Sequence, residues 1–299
     1  MSKLNQRVCV FGATGFIGSS ICAALENQGI DWAGISRTFK SDKVLQIDIK
    51  NIDKLSKIIA DYPIVINAMG VFKPIDFETN TKVVFDAFWN DLNDFCNVLS
   101  NSPVAKLVHI SSAGTVYGDT QGVPAHENCE LKPISWYGKS KVIEETFFKQ
   151  LAQVKAFKYA CVRVANPYGN NQISNHGFID VLLSSLNSNR SFNTFSSTSY
   201  SRDFIHCDDM AERIVAIINY EQPNLIDYFN VGTGQSTSLH HVLNLVKSLR
   251  SDFSFKTDKL PTSFDVVQSV LDVSKLAKLN PEYNNCIELS DYLKKKLTI

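Results

Sequence analysis

Arg7-Val8-Cys9-Val10-Phe11, running into Gly12-Ala13-Thr14-Gly15-Phe16-Ile17-Gly18, is the stretch that decides the fold. The first five residues read as a buried strand. Ile17, Ile21, Ala24 and Leu25 then fall on one helical face, and Gly29 is placed to cap that helix. A strand that enters a glycine-rich turn and leaves as a helix aims several backbone N–H groups at one point, where the helix dipole adds partial positive charge. A pyrophosphate can bind there without Lys or Arg. Gly12 permits the tight turn, Gly15 the close approach of the phosphates, and Gly18 the close packing of helix on strand. Thr14, Phe16 and Ile17 complete this candidate cradle. The spacing is GxxGxxG in place of GxGxxG.

Outward from this turn, short apolar runs alternate with segments of helical period, the pattern of βαβ units around a parallel sheet. Strands are expected at 32–36, 64–68 and 107–111, and helices at 53–61, 80–99 and 136–152, with 158–164 closing the parallel core. Beyond Gly169 the texture changes. Residues 187–202 are rich in Ser, Asn and Thr, and shorter helices are expected at 208–219, 239–250, 274–279 and 289–297. The fold class is α/β: a Rossmann-type doubly wound parallel sheet with a smaller C-terminal α/β lobe. The expected organisation is a dinucleotide-binding domain over residues 1–169, with 203–237 interleaved into it, and a mainly substrate-binding lobe over 170–299.

At 299 residues, 44% of them hydrophobic, the chain can bury a large core. Lys and Arg number 30, as do Asp and Glu, for a net charge of zero, which argues against a nucleic-acid partner. Seven cysteines, odd in number and never in a CxxC pair, indicate neither a disulfide framework nor a metal site. No run of about 18 apolar residues suggests a membrane span, and the first seven residues do not resemble a signal peptide. The expectation is a soluble, cytoplasmic protein.

Two further places carry chemistry. The second strand ends in Ser36-Arg37, where an acidic residue would hold both ribose hydroxyls of NAD and an Arg favours a 2′-phosphate, so NADP(H) is expected over NAD(H). Tyr137 and Lys141, four residues apart on an expected helix, share one face. The ammonium can hold the nicotinamide ribose and bring the phenol, a weak acid, toward working pH. The pair opens its helix some 25 residues after the strand ending at Ser111. The loop Ser112-Ala113-Gly114-Thr115-Val116-Tyr117-Gly118 must then pass the nicotinamide.

These motifs, taken in order, resemble the extended short-chain dehydrogenases/reductases of the NAD-dependent epimerase/dehydratase family, which modify nucleotide-activated sugars. The resemblance covers almost the whole chain. It includes Asp48-Ile49, Asn67-Ala68-Met69-Gly70, Val116-Tyr117-Gly118, Arg163-Val164-Ala165-Asn166-Pro167-Tyr168-Gly169, Arg202-Asp203-Phe204-Ile205-His206, and Asn230-Val231-Gly232-Thr233-Gly234. It implies that Tyr137 is the general acid/base and Lys141 its tuner and ribose clamp. Asp48, Ile49, Ala68, Met69, Gly70 and Ser111 would border the cofactor. Asn166 and Arg202 would meet the substrate, and Asp203 would brace the lobe. It also implies a homodimer built on the helices at 80–99 and 136–152.

One departure stands out. Where the family places a Ser or Thr, three residues before the Val of Val-Tyr-Gly, this chain has Ala113. Thr115 or Ser112 is then the candidate hydroxyl. The loop also lacks the carboxylates that dehydration requires. The resulting expectation is NADPH-dependent reduction of a 4-keto, 6-deoxy sugar nucleotide, with 4-epimerisation as the alternative. A reading of another class is a catalytically weak protein that binds NADP as a sensor.

Overall fold

The computed structural model describes residues 6–70, 72–170, 177–187, 192–195, 199–259 and 262–298. The first half lays down β1 (Arg7–Phe11), α1 (Phe16–Asn27), β2 (Asp31–Ser36), β3 (Val44–Gln46), α2 (Ile52–Asp61), β4 (Ile64–Asn67), α3 (Pro74–Thr79), α4 (Thr81–Ser100) and β5 (Lys106–Ser112). A one-turn helix α5 (Ala113–Val116), the long α6 (Trp136–Lys155) and β6 (Lys158–Val164) follow. The later chain adds β7 (Asn166–Tyr168), α7 (Gly177–Asn187), β8 (Phe192–Phe195), β9 (Ser201–Arg202), β10 (Phe204–His206), α8 (Cys207–Asn219) and β11 (Ile226–Val231). It ends with β12 (Thr237–Ser238), α9 (Leu239–Leu249), β13 (Phe255–Lys259), β14 (Gln268–Ser269), α10 (Ser274–Ala277) and α11 (Leu289–Leu297).

Seven strands form one sheet in the order β11-β6-β5-β4-β1-β2-β3. The pairs β2–β3, β1–β2, β1–β4 and β4–β5 are parallel, which requires helical crossovers between them. The strands are apolar on both faces, as a sheet covered on both sides demands: Val8, Cys9, Val65, Ile66, Leu107 and Val108 have no exposed surface. The order reverses at β1, and Gly12 follows β1 directly at its carboxyl end, where ligands bind in open α/β sheets. The expectation that residues 158–164 close the core is corrected: β11 lies outside β6 and forms the edge. That strand arrives from sixty residues further along the chain, so local pattern does not place it.

The chain divides into two compact units. The first takes the chain up to Ser111, then Trp136–Arg163 and Ala211–Phe229. Its core joins Phe11, Leu55, Ile59, Phe77, Phe88, Phe95, Phe148 and Tyr159. The second takes Ser112–Ser135, Val164–Met210 and the chain from Asn230 onward. Its core joins Tyr168, Leu182, Phe204, Val242, Leu243, Val246 and Leu293. This division departs from an unbroken domain over 1–169, because residues 112–135 and 164–169 fall in the second unit. Within the Ser- and Asn-rich stretch, 192–195 and 201–202 are strands, and residues 188–191 and 196–198 lie outside the described residues.

Candidate active site

In the first unit, the glycine turn is built as a cradle. Gly12 has φ +77°, and a Cβ there would lie 2.6 Å from the Ala68 carbonyl oxygen, so no other residue fits without moving backbone. A Cβ on Gly18 would lie 2.1 Å from the Gly12 carbonyl oxygen, which fixes how closely α1 approaches the turn. Gly15 is the N-cap of α1, and the first intrahelical bond runs from Ser19 N–H to its carbonyl. Ile17 and Gly18 therefore have no intrahelical acceptor for their N–H groups, as an anion site requires. Gly15 itself donates its N–H to Gly12 O at 2.9 Å, so its amide serves the turn. These residues fit the pyrophosphate of a dinucleotide.

Ser36 ends β2 beside Thr14, their hydroxyls 3.2 Å apart, and the Ser36 oxygen also accepts the N–H groups of Thr38 and Phe39. Arg37 is exposed, and its guanidinium makes no hydrogen bond or ion pair among the described residues. Asp48 is exposed, and its Oδ1 accepts Lys50 N–H in a turn, while Ile49 packs on the core. Burial pushes the Asp91 carboxyl on α4 above the ordinary range, against the pull of Arg37.

Tyr137, Lys141, Glu144 and Phe148 form an inward stripe on α6, at the spacing of one helical face. They line a cavity of about 70 Å³ shared with Asn67, Met69, Gly70, Phe72, Phe77, Phe88, Asp91, Leu92, Phe95 and Ser140. The Tyr137 ring meets Phe77 edge-on, with centroids 5.6 Å apart, and its hydroxyl makes no hydrogen bond among the described residues. Lys141 is buried, with Nζ 5.9 Å from the Tyr137 ring centroid and 2.8 Å from Glu144 Oε2. Burial disfavours this ammonium, but the charge and hydrogen bond of Glu144, with a contribution from Tyr137, outweigh it and hold Lys141 above the ordinary lysine range. Burial pushes the Glu144 carboxyl up, against the pull of Lys141. His109 lies beyond, with Nε2 3.4 Å from Glu144 Oε2 but not aligned for a hydrogen bond, and Nδ1 3.4 Å from the Asn67 amide. Burial first, and then Lys141, keep His109 well below its usual value, so it is neutral.

Ser111 was expected at the cofactor, but its hydroxyl points inward and donates to Glu145 Oε1 at 2.6 Å. Glu145 also accepts two bonds from Arg163, at 3.1 and 2.7 Å, in a fully enclosed pair. The carboxylate therefore joins β5, α6 and β6. Ala68 donates its N–H to Phe11 O, and Met69 to Asn67 Oδ1, so both belong to the wall of the turn.

The second unit holds the remaining candidates. Ala113 is fully buried. Thr115 turns its hydroxyl back on the Ser112 carbonyl at 3.2 Å, whereas the Ser112 hydroxyl makes no hydrogen bond among the described residues. Gly114 faces Asn166, where a Cβ would lie 3.5 Å from the side-chain amide, and that amide donates to Asp203 O at 3.1 Å. Arg202 donates Nη1 to Ser201 O and Val267 O, and Nη2 to Val266 O, so three backbone carbonyls hold its guanidinium. Asp203 accepts from Thr233 N–H, Thr233 Oγ1 and Gly234 N–H, which makes it the brace that the sequence suggested.

Glu144, His109 and Asp91 were not singled out from the sequence. For Glu144 the signal was present: it falls three residues after Lys141 and seven after Tyr137, on the same face.

A parallel doubly wound sheet, a glycine cradle at its switch point, and a Tyr–Lys pair in one unit define a dinucleotide-dependent α/β enzyme. The model of the NAD dependent epimerase/dehydratase family matches residues 8–232, and the chain belongs to that family. It is 26% identical over 288 residues to a Methanocaldococcus jannaschii protein provisionally named a UDP-glucose 4-epimerase, covering 91% of this chain and 92% of that one. It is 25% identical to an Escherichia coli dTDP-4-dehydro-6-deoxyglucose reductase over 265 residues, 83% of each chain. The crystal structure of Thermus thermophilus UDP-glucose 4-epimerase in complex with NAD superposes with a TM-score of 0.85 at 20% identity, over 98% of both chains.

Proposed function

We propose that the protein reduces a 4-keto, 6-deoxy sugar nucleotide with NADPH. The observation that carries this reading is Arg37, an exposed guanidinium just past β2 with no hydrogen bond or ion pair among the described residues, where NAD would call for a carboxylate. NADPH favours net reduction over a cycle that returns its cofactor unchanged. The loop 112–116 offers no carboxylate, which disfavours dehydration.

The bound dinucleotide supplies hydride to the keto carbon. Tyr137, whose hydroxyl makes no hydrogen bond among the described residues, gives its proton to the keto oxygen, and the Lys141 ammonium stabilises the phenolate that remains. The hydroxyl of Ser112 polarises the carbonyl, since Thr115 has already turned its own toward a backbone acceptor. Asn166 takes the sugar nucleotide, and the second unit serves as the substrate lobe. Arg202 contributes to diphosphate binding through what remains of its guanidinium beyond the three carbonyls. Two copies associate through α4 and α6, in the cytoplasm.

A second reading, 4-epimerisation, draws support from the relatives, several of which are UDP-glucose 4-epimerases. One experiment separates the two: NADPH or NADH is mixed with a panel of 4-keto and 4-hydroxy sugar nucleotides, following both absorbance and product. The reductase oxidises NADPH stoichiometrically with a 4-keto substrate. Interconversion of 4-hydroxy epimers without net change in absorbance would replace it with the epimerase. Tyr137→Phe is expected to lower turnover at least a hundredfold while NADPH still binds. Near-normal turnover would remove the mechanism.

A further inference from the structure

Both peptides that flank Arg37 are held in place, and one of the groups that holds them, the exposed Gln46, takes no part in the chemistry above. β2 and β3 run parallel, with Ser36 opposite Gln46. The Ser36 carbonyl accepts Ile47 N–H at 3.0 Å, which holds the peptide before Arg37. In the peptide after it, the Arg37 carbonyl accepts Nε2 of Gln46 at 3.1 Å, and Thr38 N–H donates to Ser36 Oγ at 3.4 Å. With both planes held, φ and ψ of Arg37 are set, and so is the direction in which its side chain leaves the backbone. We propose that Gln46 is a positioning residue for Arg37, which aims the guanidinium at the cofactor 2′-phosphate and so sets the preference for NADP(H) over NAD(H). The inference rests on the reading of Arg37 as the group that meets that phosphate.

A clamp matters here because the guanidinium has somewhere else to go. Its fork of N–H donors holds a phosphate well only when it is correctly turned. From α4, burial pushes the Asp91 carboxyl up and Arg37 is the first charge to pull it back, so the two side chains lie within each other's field. An Arg37 backbone free to rotate can carry the guanidinium toward that carboxylate and away from an incoming phosphate. Ser36 alone holds the turn weakly. Its oxygen is shared among Thr14 Oγ1, Thr38 N–H and Phe39 N–H at 3.2, 3.4 and 3.3 Å, each longer than the Gln46 bond. Lys40, exposed in the same loop, can still attract a phosphate, so losing the clamp weakens the preference without abolishing it.

The test is equilibrium binding of NADPH and of NADH to the whole protein, measured by calorimetry. The two cofactors differ only in the 2′-phosphate, so general damage to the fold or to the glycine cradle weakens both alike. Gln46→Met keeps the length of the side chain and removes its donor, and Gln46→Leu repeats the loss with a different shape. In both, the ratio of NADPH to NADH affinity should fall about fivefold, the range of one hydrogen bond, while the NADH Kd stays within about twofold of the parent. Arg37→Ala should lower the ratio by about tenfold or more, and adding Gln46→Met to it should lower the ratio no further. A ratio unchanged in both Gln46 variants, an equal loss for the two cofactors, or the same fivefold loss in the absence of Arg37 would each overturn the proposal. A parent that binds NADH as tightly as NADPH, or an Arg37→Ala protein that keeps the parent's ratio, sinks the reading of Arg37 itself, and the clamp with it.

Discussion

Two hydroxyls near the end of β5 differ in what already holds them. Thr115 donates to the carbonyl of Ser112, the N-cap of its own one-turn helix, while the Ser112 hydroxyl makes no hydrogen bond among the described residues. Ser112→Ala is therefore expected to lower kcat by about 10²–10³, the loss typical of a single oxyanion donor, and Thr115→Ala by less than tenfold. Steady-state kinetics with the substrate found in the panel decide it, and the reverse ranking would return the role to Thr115. At this scale much of the site was legible. The glycine turn and the Tyr–Lys pair depend only on spacing within one segment. His109 was not legible, because its place beside Glu144 and Asn67 follows from the β4–β5 register, which sets Asn67 opposite His109. Arg202 was legible as a charge, but the three carbonyls that hold it come partly from residues 64 and 65 positions further on.

The long helices α1, α2, α4, α6, α8 and α9 followed their periodicity, but the eleven-residue α7 was not expected, and the short β3 and α3 escaped it as well. β3 has three residues and α3 six, too few for either period to show. The end of α8 is held by a contact that periodicity also misses: Lys106 Nζ donates to the carbonyls of Ile217, Ile218 and Tyr220 at 2.7, 3.3 and 3.2 Å. A cation suits the negative end of a helix dipole. Burial nevertheless lowers Lys106 to about 8, so the unfolded chain binds its proton more readily than the folded one between pH 8 and 10.5. The sign follows: the contribution of Lys106 to stability rises as pH climbs through that window. Urea denaturation at pH 7.5 and pH 10 is expected to show the parent gaining about 2 kcal/mol relative to Lys106→Met. A difference that stays constant or shrinks would contradict this account.

For the whole molecule, the exposed aromatics are unevenly placed. Trp89 on α4 and Phe147 on α6 are 44% and 45% exposed, with ring centroids 5.8 Å apart. Trp136, also 44% exposed, meets Phe85 at 5.6 Å. Aromatic rings grouped on two neighbouring helices suit a partner surface, and the proposed homodimer supplies one. Sedimentation velocity should find a dimer for the parent and a monomer for Trp89→Glu. A parent that sediments as a monomer, or a variant that stays dimeric, would remove that interface.

Six residues, Pro74–Thr79, touch the N-terminal end of α6 twice. Phe77 lies edge-on against the Tyr137 ring, and Glu78 accepts the N–H of Trp136, the first residue of that helix, at 2.7 Å. One small lever thus grips both the phenol and the turn that carries it. A tilt of the lever cannot shift one without the other, so the aim of the proposed proton donor is set by a segment to which the proposal assigns no reactive group.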